Sequence, residues 1–543
     1  MAISKTGIHV DESSSFNNPL IYEENGQVNS VVADNLTPAT RYYTRGYVIS
    51  DGTTVYSNNI RSFVTKYPNY LIFKNPNNSA ITLTLKKHNS PYDITIETSI
   101  DDGETWSTWN STGINAGSWS IPANSSLLMR GNNARIGKSG GAYWNCRVSD
   151  TCILSGELMA LLDTTGQTNT IPDYCFTSFF YHNDYLDTNN FSINARSVGI
   201  SGLSGCFSYC TSLTTPPDLS SLVSISDSSL NSCFGLSGLI TPPDLSGLTT
   251  IPENGLSTCF QFCYSLTSAP DLSNVTYVDD FGLAGCFGYC TSLTTPPDLS
   301  GLTVINYRSL DTCLVGCTSL TTPPDLSNVT DITGEMGCWS LLKDCTSLTT
   351  PPDLSNVTDI GVRSLESCFY GCTALTTPPD LSGLTYTTEK SLSYFLAGCT
   401  SLTTPPDLSG LTTIGIQGLA GCLSGCTSLT TPPDLSNVTS LDNSGLFRTF
   451  YNFSKLTRGA DISSSTSVGS YSLDRCYYGC YKINDVTAPN ISDLTVNNVL
   501  DYWLDNNAGS QASGTKNVRV PSGSTIATNS VSGIPSGWNR VNY

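Results

Sequence analysis

Histidine is nearly missing from this sequence: His9, His88 and His182 are the only three in 543 residues, and none lies in a copy of the repeat described below. Imidazole is the usual proton shuttle and metal ligand near neutral pH, so chemistry of either kind has little to work with. No Gly-x-Ser-x-Gly, phosphate-loop or His-Glu-x-x-His motif occurs. Nucleophilic, nucleotide-dependent and zinc-protease chemistry therefore lack their residues. Charge is also scarce, at 13% of residues, and 25 Lys plus Arg against 44 Asp plus Glu leave a net charge of −19. Nucleic acid, whose phosphates need a basic face, is a poor partner for such a chain, as is an anionic membrane surface. Apolar runs stay short of the ~18 residues of a membrane span. The opening Met-Ala-Ile-Ser-Lys-Thr-Gly has no apolar core of a secretory leader. No cofactor or metal is expected, and no enzyme activity.

What the chain has in abundance is one sentence, repeated: Leu-x-x-Cys-Phe-x-x-Cys-Thr-Ser-Leu-Thr-Thr-Pro-Pro-Asp-Leu-Ser. Its aspartate recurs at Asp218, Asp244, Asp271, Asp298, Asp325, Asp353, Asp380, Asp407 and Asp434, at intervals of 26, 27, 27, 27, 28, 27, 27 and 27. A fixed period in this range marks stacked units, each unable to bury its apolar face alone. The expectation is an α+β solenoid of ~27-residue units, about 50 Å long at strand spacing, preceded by two small all-β domains. Within a unit, Leu283, Cys286, Phe287, Cys290 and Leu293 fall at i, i+3, i+4, i+7 and i+10, which predicts a short helix. Pro-Pro stops it. Leu-Thr-Thr should then supply a short strand or an extended edge, and Asp-Leu-Ser a turn whose carboxylate accepts a nearby backbone N–H.

Most of the 21 cysteines fall in two columns, with Cys206, Cys286, Cys313, Cys368 and Cys422 in the first and Cys210, Cys290, Cys317, Cys372 and Cys426 in the second. Metal binding and an inter-rung disulfide ladder are both conceivable uses. The spacing is CxxxC rather than the CxxC of zinc sites. Substitutes at these positions are apolar or small (Leu341, Phe395, Ser237), which favours buried free thiols acting as small hydrophobes. Free thiols on this scale suit folding in a reducing compartment. For the aspartates, Asp298, Asp325, Asp380, Asp407 and Asp434 among them, a turn cap is favoured over an array of cation sites. Outward threonines such as Thr214, Thr294, Thr321 and Thr403 form a polar ladder.

The remainder divides at residues 66, 165 and 492. Residues 1–66 are β-patterned, with strands over Tyr43–Ile49, Thr54–Tyr56 and Ile60–Val64 and a hairpin turn at Asp51-Gly52. The run Leu36-x-Pro38-x-Thr40-x-Tyr42 resembles the tyrosine-corner strand of fibronectin type III domains. That resemblance covers only the later strands, and it implies either a trimmed variant or an edge completed by another chain, a docking module. Residues 67–165 are a second β-rich block, with strands over Tyr70–Phe73, Ile81–Leu85, Ile94–Ile100, Ser126–Arg130 and Cys146–Leu154. Its Ser99-x-Asp101-x-Gly103-x-Thr105-Trp106 run is similar to the Asp-box hairpins of sialidase propellers, where the motif is structural. Trp106 and Trp109 are candidate glycan contacts. Residues 166–492 are the solenoid, opening on an irregular rung with Cys175, Phe176, Phe179 and Phe180. Residues 493–543 form a cap, with a helix-like Val496–Leu504 and a strand at Val518–Pro521.

The Cys-Thr-Ser-Leu-Thr-Thr-x-Pro-Asp-Leu-Ser rung resembles the BspA-like leucine-rich repeats of surface proteins in gut bacteria and their phages. The closing Val520-Pro521-Ser522-Gly523-Ser524 with Gly537-Trp538 is similar to that family's tail. The resemblance implies adhesion or recognition rather than catalysis. The reading that follows is a phage fibre or receptor-binding component in the virion. It would be anchored to other virion proteins by its N-terminal domain and would present the solenoid to a surface glycan or protein. A bacterial cell-surface adhesin is the alternative, and a glycan hydrolase using Asp101 and Glu104 is the rival of a different class. A homo-oligomer, a trimer above all, stays open, since apolar heptads are lacking. Between repeats the core letters hardly change while the linkers do, which makes Tyr277, Tyr307, Arg308, Trp339, Arg363, Tyr386 and Lys390 the candidate partner-binding residues.

Overall fold

The computed structural model describes residues 70–543 apart from 115, 138–142, 165–166 and 506, together with strand backbone at 3–11, 20–25, 41–50 and 53–64. Four antiparallel strands open the chain: β1 (Ile3–Asp11), β2 (Leu20–Asn25), β3 (Arg41–Ser50) and β4 (Thr53–Val64), in the order β2-β1-β3-β4. The two strand pieces expected after Asp51-Gly52 are thus one strand, β4, whose ladder with β3 shifts register between Arg45 and Tyr47. Two further strands precede the region in which strands were expected. Residues 35–40 and 51–52, which carry most of the tyrosine-corner run and the hairpin turn, lie outside the described residues.

The next block holds β5 (Leu71–Lys74), β6 (Ile81–His88), β7 (Thr95–Ser99), β8 (Ser107–Asn110), β9 (Ala116–Ile121), β10 (Ser126–Gly131), β11 (Tyr143–Val148) and β12 (Cys152–Glu157). Two of these, β8 and β9, were not expected. Alternation along β6 puts Ile81, Leu83 and Leu85 inside and leaves Thr82, Thr84 and Lys86 outside, as a period of two requires. After β13 (Thr170–Ile171) comes β14 (Leu186–Ser192), which belongs to the first rung yet pairs in parallel with β12. One six-stranded sheet, β14-β12-β5-β10-β7-β8, therefore crosses the expected boundary at residue 165, and one hydrophobic core runs through it.

The repeats contain no α-helix among the described residues, where the apolar spacing predicted one; only two 3-10 turns occur, at Leu158–Leu161 and Val496–Asn498. The Leu-Cys-Phe-Cys segment is instead a ribbon of four-residue turns. In one copy Phe281, Gly285 and Tyr289 take φ of 55°, 60° and 60°, and every fourth ribbon residue in the other copies is left-handed too. The amides of Gly282, Ala284, Cys286, Gly288 and Cys290 donate three residues back. Those between them, Phe281, Leu283, Gly285, Phe287 and Tyr289, donate to Tyr307, Ser309, Asp311, Cys313 and Val315 of the next copy at 2.6–3.2 Å. An α-helix closes every bond on itself; here half leave to clamp the neighbour. Over eleven residues a period of four places apolar side chains almost where 3.6 would, so the two backbones share a pattern.

The strand of each copy also sits elsewhere than expected. Two-residue parallel bridges form after the Asp-Leu-Ser turn, at Thr250–Ile251, Tyr277–Val278, Asp331–Ile332, Asp359–Ile360, Tyr386–Thr387, Thr413–Ile414 and Ser440–Leu441. Registers such as Thr413 on Tyr386 and Ser440 on Thr413 step by one repeat. Leu-Thr-Thr is the extended edge rather than the strand. Thr294 and Thr403 donate backbone N–H to Thr267 and Thr376, and their hydroxyls reach the same carbonyls at 3.0 and 3.3 Å. On this edge and on the short strands most amides point to the preceding copy, opposite in sense to the ribbon.

Between the arcs lies a dry seam. Leu283, Cys286, Phe287, Cys290, Leu293, Leu299, Leu302 and Ile305 are each 0–1% exposed. Phe207, Phe234, Phe260 and Phe287 stack face to face at 5.5–5.6 Å between neighbours. Both ends of the ribbon are closed. Asn145 Nδ2 on β11 donates to the carbonyls of Ser178 and Tyr181, each at 3.1 Å. At the other end Trp503 Nε1 donates to Gly533 O at 2.8 Å, and Asp485–Thr487, Asn517–Val520 and Asn539–Asn542 form a parallel sheet. The expected helix over 496–504 is a 3-10 turn running into the last ribbon turns.

Candidate functional site

Each aspartate of the repeat turn is held by its own backbone. The carboxylates of Asp298, Asp325, Asp380, Asp407 and Asp434 accept the amide two residues on, from Ser300, Ser327, Ser382, Ser409 and Ser436, at 2.9–3.0 Å. Hydrogen bonds from serine hold Asp325 and Asp407 below the usual carboxylate range. A carboxylate so engaged is a turn cap.

The thiols of both columns are buried, and all 21 are free. In the second column the S–H groups of Cys210, Cys290, Cys317, Cys372 and Cys426 donate to carbonyls of Phe180, Phe260, Phe287, Leu342 and Leu396 at 3.1–3.2 Å. In the first column Cys206, Cys286, Cys313, Cys368 and Cys422 pack at 0–1% exposure. Burial pushes Cys206, Cys286 and Cys368 far above the ordinary thiol value and Cys313 up to about 12. These are protonated, unreactive groups. Among the described residues no three His, Cys, Asp or Glu side chains gather as a metal site.

Asp101 and Glu104, the carboxylates a hydrolase would need, are exposed on a turn. Asp101 accepts from Ser99 Oγ at 2.6 Å and from Thr105 N at 2.9 Å, and these bonds with that of the Thr105 hydroxyl hold it down at about 2. Gly103 takes φ of 89°, and Trp106 returns its Nε1–H to Gly103 O at 3.0 Å beneath the Arg130 guanidinium, 3.8 Å from its ring. Trp109 lies edge-on to Trp119 and Trp144, with ring centroids 5.4 and 6.0 Å away. Both indoles are half-buried and occupied by protein contacts.

The seven linker residues are not brought together on one face. Tyr277 and Tyr386 stand exposed on the short strands, the latter donating to Asp359 Oδ1 at 3.1 Å. Tyr307, Arg308, Trp339, Arg363 and Lys390 belong to the turn ribbon, where Arg308, Arg363 and Lys390 occupy left-handed positions. Arg363 pairs with Glu366 at 2.6 Å.

A second set of aromatics, not anticipated from the sequence, lines the outer corner of the ribbon. Tyr209, Tyr264, Tyr289, Tyr370, Tyr478 and Tyr481 are 36–53% exposed. Several form ladders: His182 over Tyr209 at 5.4 Å, Phe262 over Tyr289 at 5.1 Å, Tyr451 over Tyr478 at 5.3 Å. Lys343 sits 5.1 Å from the Tyr370 ring. The available signal was their place two, three or five residues after the first cysteine column, positions a helix would not have turned outward together.

Comparison with known proteins follows the repeats. No curated protein matches the chain. A leucine-rich repeat protein from Bacteroides ovatus is similar in structure, with 16% identity and a TM-score of 0.40 over 76% of this chain and 95% of that one. A leucine-rich repeat protein from Eubacterium ventriosum is similar at 16% identity and a TM-score of 0.30, over 70% of this chain and 91% of that one. Residues 169–315 and 256–392 match the family described as "BspA type Leucine rich repeat region (6 copies)". Over residues 169–392 the chain is thus similar to the BspA-type leucine-rich repeats.

Proposed function

We propose that the chain is a non-enzymatic recognition protein in which the repeats wind as a solenoid and offer the outer corner of the ribbon to a bacterial surface receptor. The observation that carries this reading is the exposed aromatic set, Tyr209, Tyr264, Tyr289, Tyr370, Tyr478 and Tyr481. Neither the core nor the backbone bonding requires large apolar rings there, and aromatic side chains are the usual anchors of recognition surfaces. Tyr277, Tyr307, Arg308, Trp339, Arg363, Tyr386 and Lys390 would extend the contact along the linkers. The N-terminal strands, with β2 and β4 at the sheet edges, would dock to an anchor by strand addition.

BspA-type repeats favour a cell-surface adhesin as the setting. The 21 free thiols support a second setting, a virion fibre assembled in a reducing host cytoplasm. Fluorescently labelled protein should bind intact gut bacteria saturably, and a Tyr209→Ser, Tyr289→Ser, Tyr478→Ser triple variant should lose at least tenfold in affinity while keeping its thermal midpoint. Undiminished binding by the variant refutes the ribbon assignment. Mass spectrometry of purified virions against cell envelopes decides between the settings.

A further inference from the structure

The cations of this chain are few, 25 Lys plus Arg in all, and few of them share one surface. In the block before the repeats, Lys87 meets Asp93 at 3.0 Å and Arg130 meets Glu97 at 2.7 Å. Lys86 and Arg147 form no ion pair among the described residues, although the chain carries a net charge of −19. Both face one open cleft of about 420 Å³, shared with Thr82, Thr84, His88, Asn145, Val148 and Ser149.

Strand register builds the cleft. β6 and β11 run antiparallel with Thr84 opposite Arg147, Lys86 opposite Asn145 and His88 opposite Tyr143. The intervening Leu83, Leu85, Trp144 and Cys146 are buried on the other face. Alternation and the bend at Ser149 thus gather two cations, three hydroxyls, an amide and an imidazole around one cleft without a carboxylate among them. Arg147 is pre-set: its Nε–H donates to Asn145 Oδ1 at 2.8 Å, while Asn145 Nδ2 is fixed on the first rung's carbonyls. Its two terminal nitrogens make no hydrogen bond among the described residues, the half of the guanidinium that grips a planar anion. His88 stacks on Tyr143 at 4.8 Å and 19°, and burial with the charges of Lys86 and Arg147 keeps the ring below its ordinary pKa, neutral.

We propose that this cleft binds an acidic saccharide, its carboxylate on Arg147 and Lys86 and its ring hydroxyls on Thr82, Thr84, Ser149 and the His88 imidazole. Two cations match one carboxylate. The surrounding hydroxyls and the neutral imidazole can both donate and accept, as sugar hydroxyls require and a bare phosphate does not. The volume falls in the range of small-ligand sites. The site lies in the sheet block and does not depend on the ribbon surface proposed above.

Isothermal titration of the full chain with tri-galacturonate and with 3′-sialyllactose tests it, against the methyl ester of the former and inorganic phosphate. At least one acid sugar should bind, the ester at least tenfold more weakly, and phosphate more weakly still. Arg147→Gln and Lys86→Gln, both at exposed positions, should each lose about tenfold or more with the thermal midpoint unchanged. The Tyr209, Tyr289, Tyr478 triple variant should bind as the parent does. Occupation should also raise the His88 titration point in proton NMR, by placing a negative charge beside the ring. Binding by neither acid sugar, equal binding of the ester, unchanged affinity in Arg147→Gln, or phosphate binding as tightly as the sugars would each overturn the assignment.

Discussion

Asp311 offers the sharpest test of how the ribbon is packed. It occupies the position filled by Ala284 in the copy before and by Trp339 in the copy after, and it is 6% exposed. Its Oδ1 has no hydrogen-bond partner, and the Arg308 Nε is 3.5 Å from its other oxygen. Burial outweighs the guanidinium and raises the carboxyl from 3.8 to about 6. The folded chain therefore holds this proton more tightly than the unfolded chain does. Between these two values the folded state is protonated and the unfolded state is not, so stability falls as pH rises through that window and is level above it. Roughly two pKa units at ~1.4 kcal/mol each give a loss of about 3 kcal/mol between pH 4 and 6.5. Asp311→Asn keeps the shape and removes the charge, so the variant should gain on the parent by about that amount at pH 7 and by almost nothing at pH 4. Urea unfolding followed by circular dichroism across this range measures the difference directly, and the depressed aspartates of the turns cancel in it. Arg308→Met should extend the falling window to higher pH and enlarge the total loss, because it removes the larger of the influences that lower the pKa. A parent-minus-variant difference that is flat with pH would refute the argument, as would a window whose upper limit is unmoved by Arg308→Met.

The left-handed positions and the thiols give two further predictions. At Gly205 (φ 60°) the nearest atom to an added Cβ is 3.4 Å away, whereas at Gly316 (φ 70°) it would meet the Tyr289 ring at 2.6 Å. Gly205→Ala should cost about 1 kcal/mol for the conformation alone, and Gly316→Ala distinctly more in the same urea assay; equal costs would contradict the stacking of Tyr289 over Gly316. With Cys210 and Cys313 pushed up to about 12, on the order of one in 10⁴ of these thiols is ionised at pH 8. Iodoacetamide should leave the native chain unlabelled and add to all 21 cysteines in urea, read by intact mass; several native adducts would count against the buried columns.

The repeat length and the buried columns were legible because the core tolerates little change. Leu283, Cys286, Phe287, Cys290 and Leu293 recur where burial demands them, and the Asp-x-Ser spacing declares its turn. The backbone that joins them was not legible from apolar spacing alone. The clue lay in glycines four residues apart, as at Gly421 and Gly425 (φ 63° and 74°), a spacing that serves left-handed turns and would weaken a helix. Asn254, Arg308, Lys390 and Tyr394 take the same conformation without glycine, held there by inter-copy bonds that no single copy reveals. Of the candidate surfaces, comparing linkers singled out Tyr277 and Tyr386, which stand exposed. Tyr289 and Tyr478 were missed because a helical reading placed them without reference to the corner they share. The cleft between Lys86 and Arg147 needed strand register, since β11 lies more than fifty residues from β6 in sequence.

The opposed senses of the amide bonds bear on how such a protein can change size. Ribbon amides point toward later copies and edge amides toward earlier ones, so the electric moments of the two walls largely oppose each other. A copy inserted or lost in the middle leaves the field at either end almost as it was, and the closures at Asn145 and Trp503 need no adjustment. Reach can therefore vary by whole units while the terminal fittings stay the same.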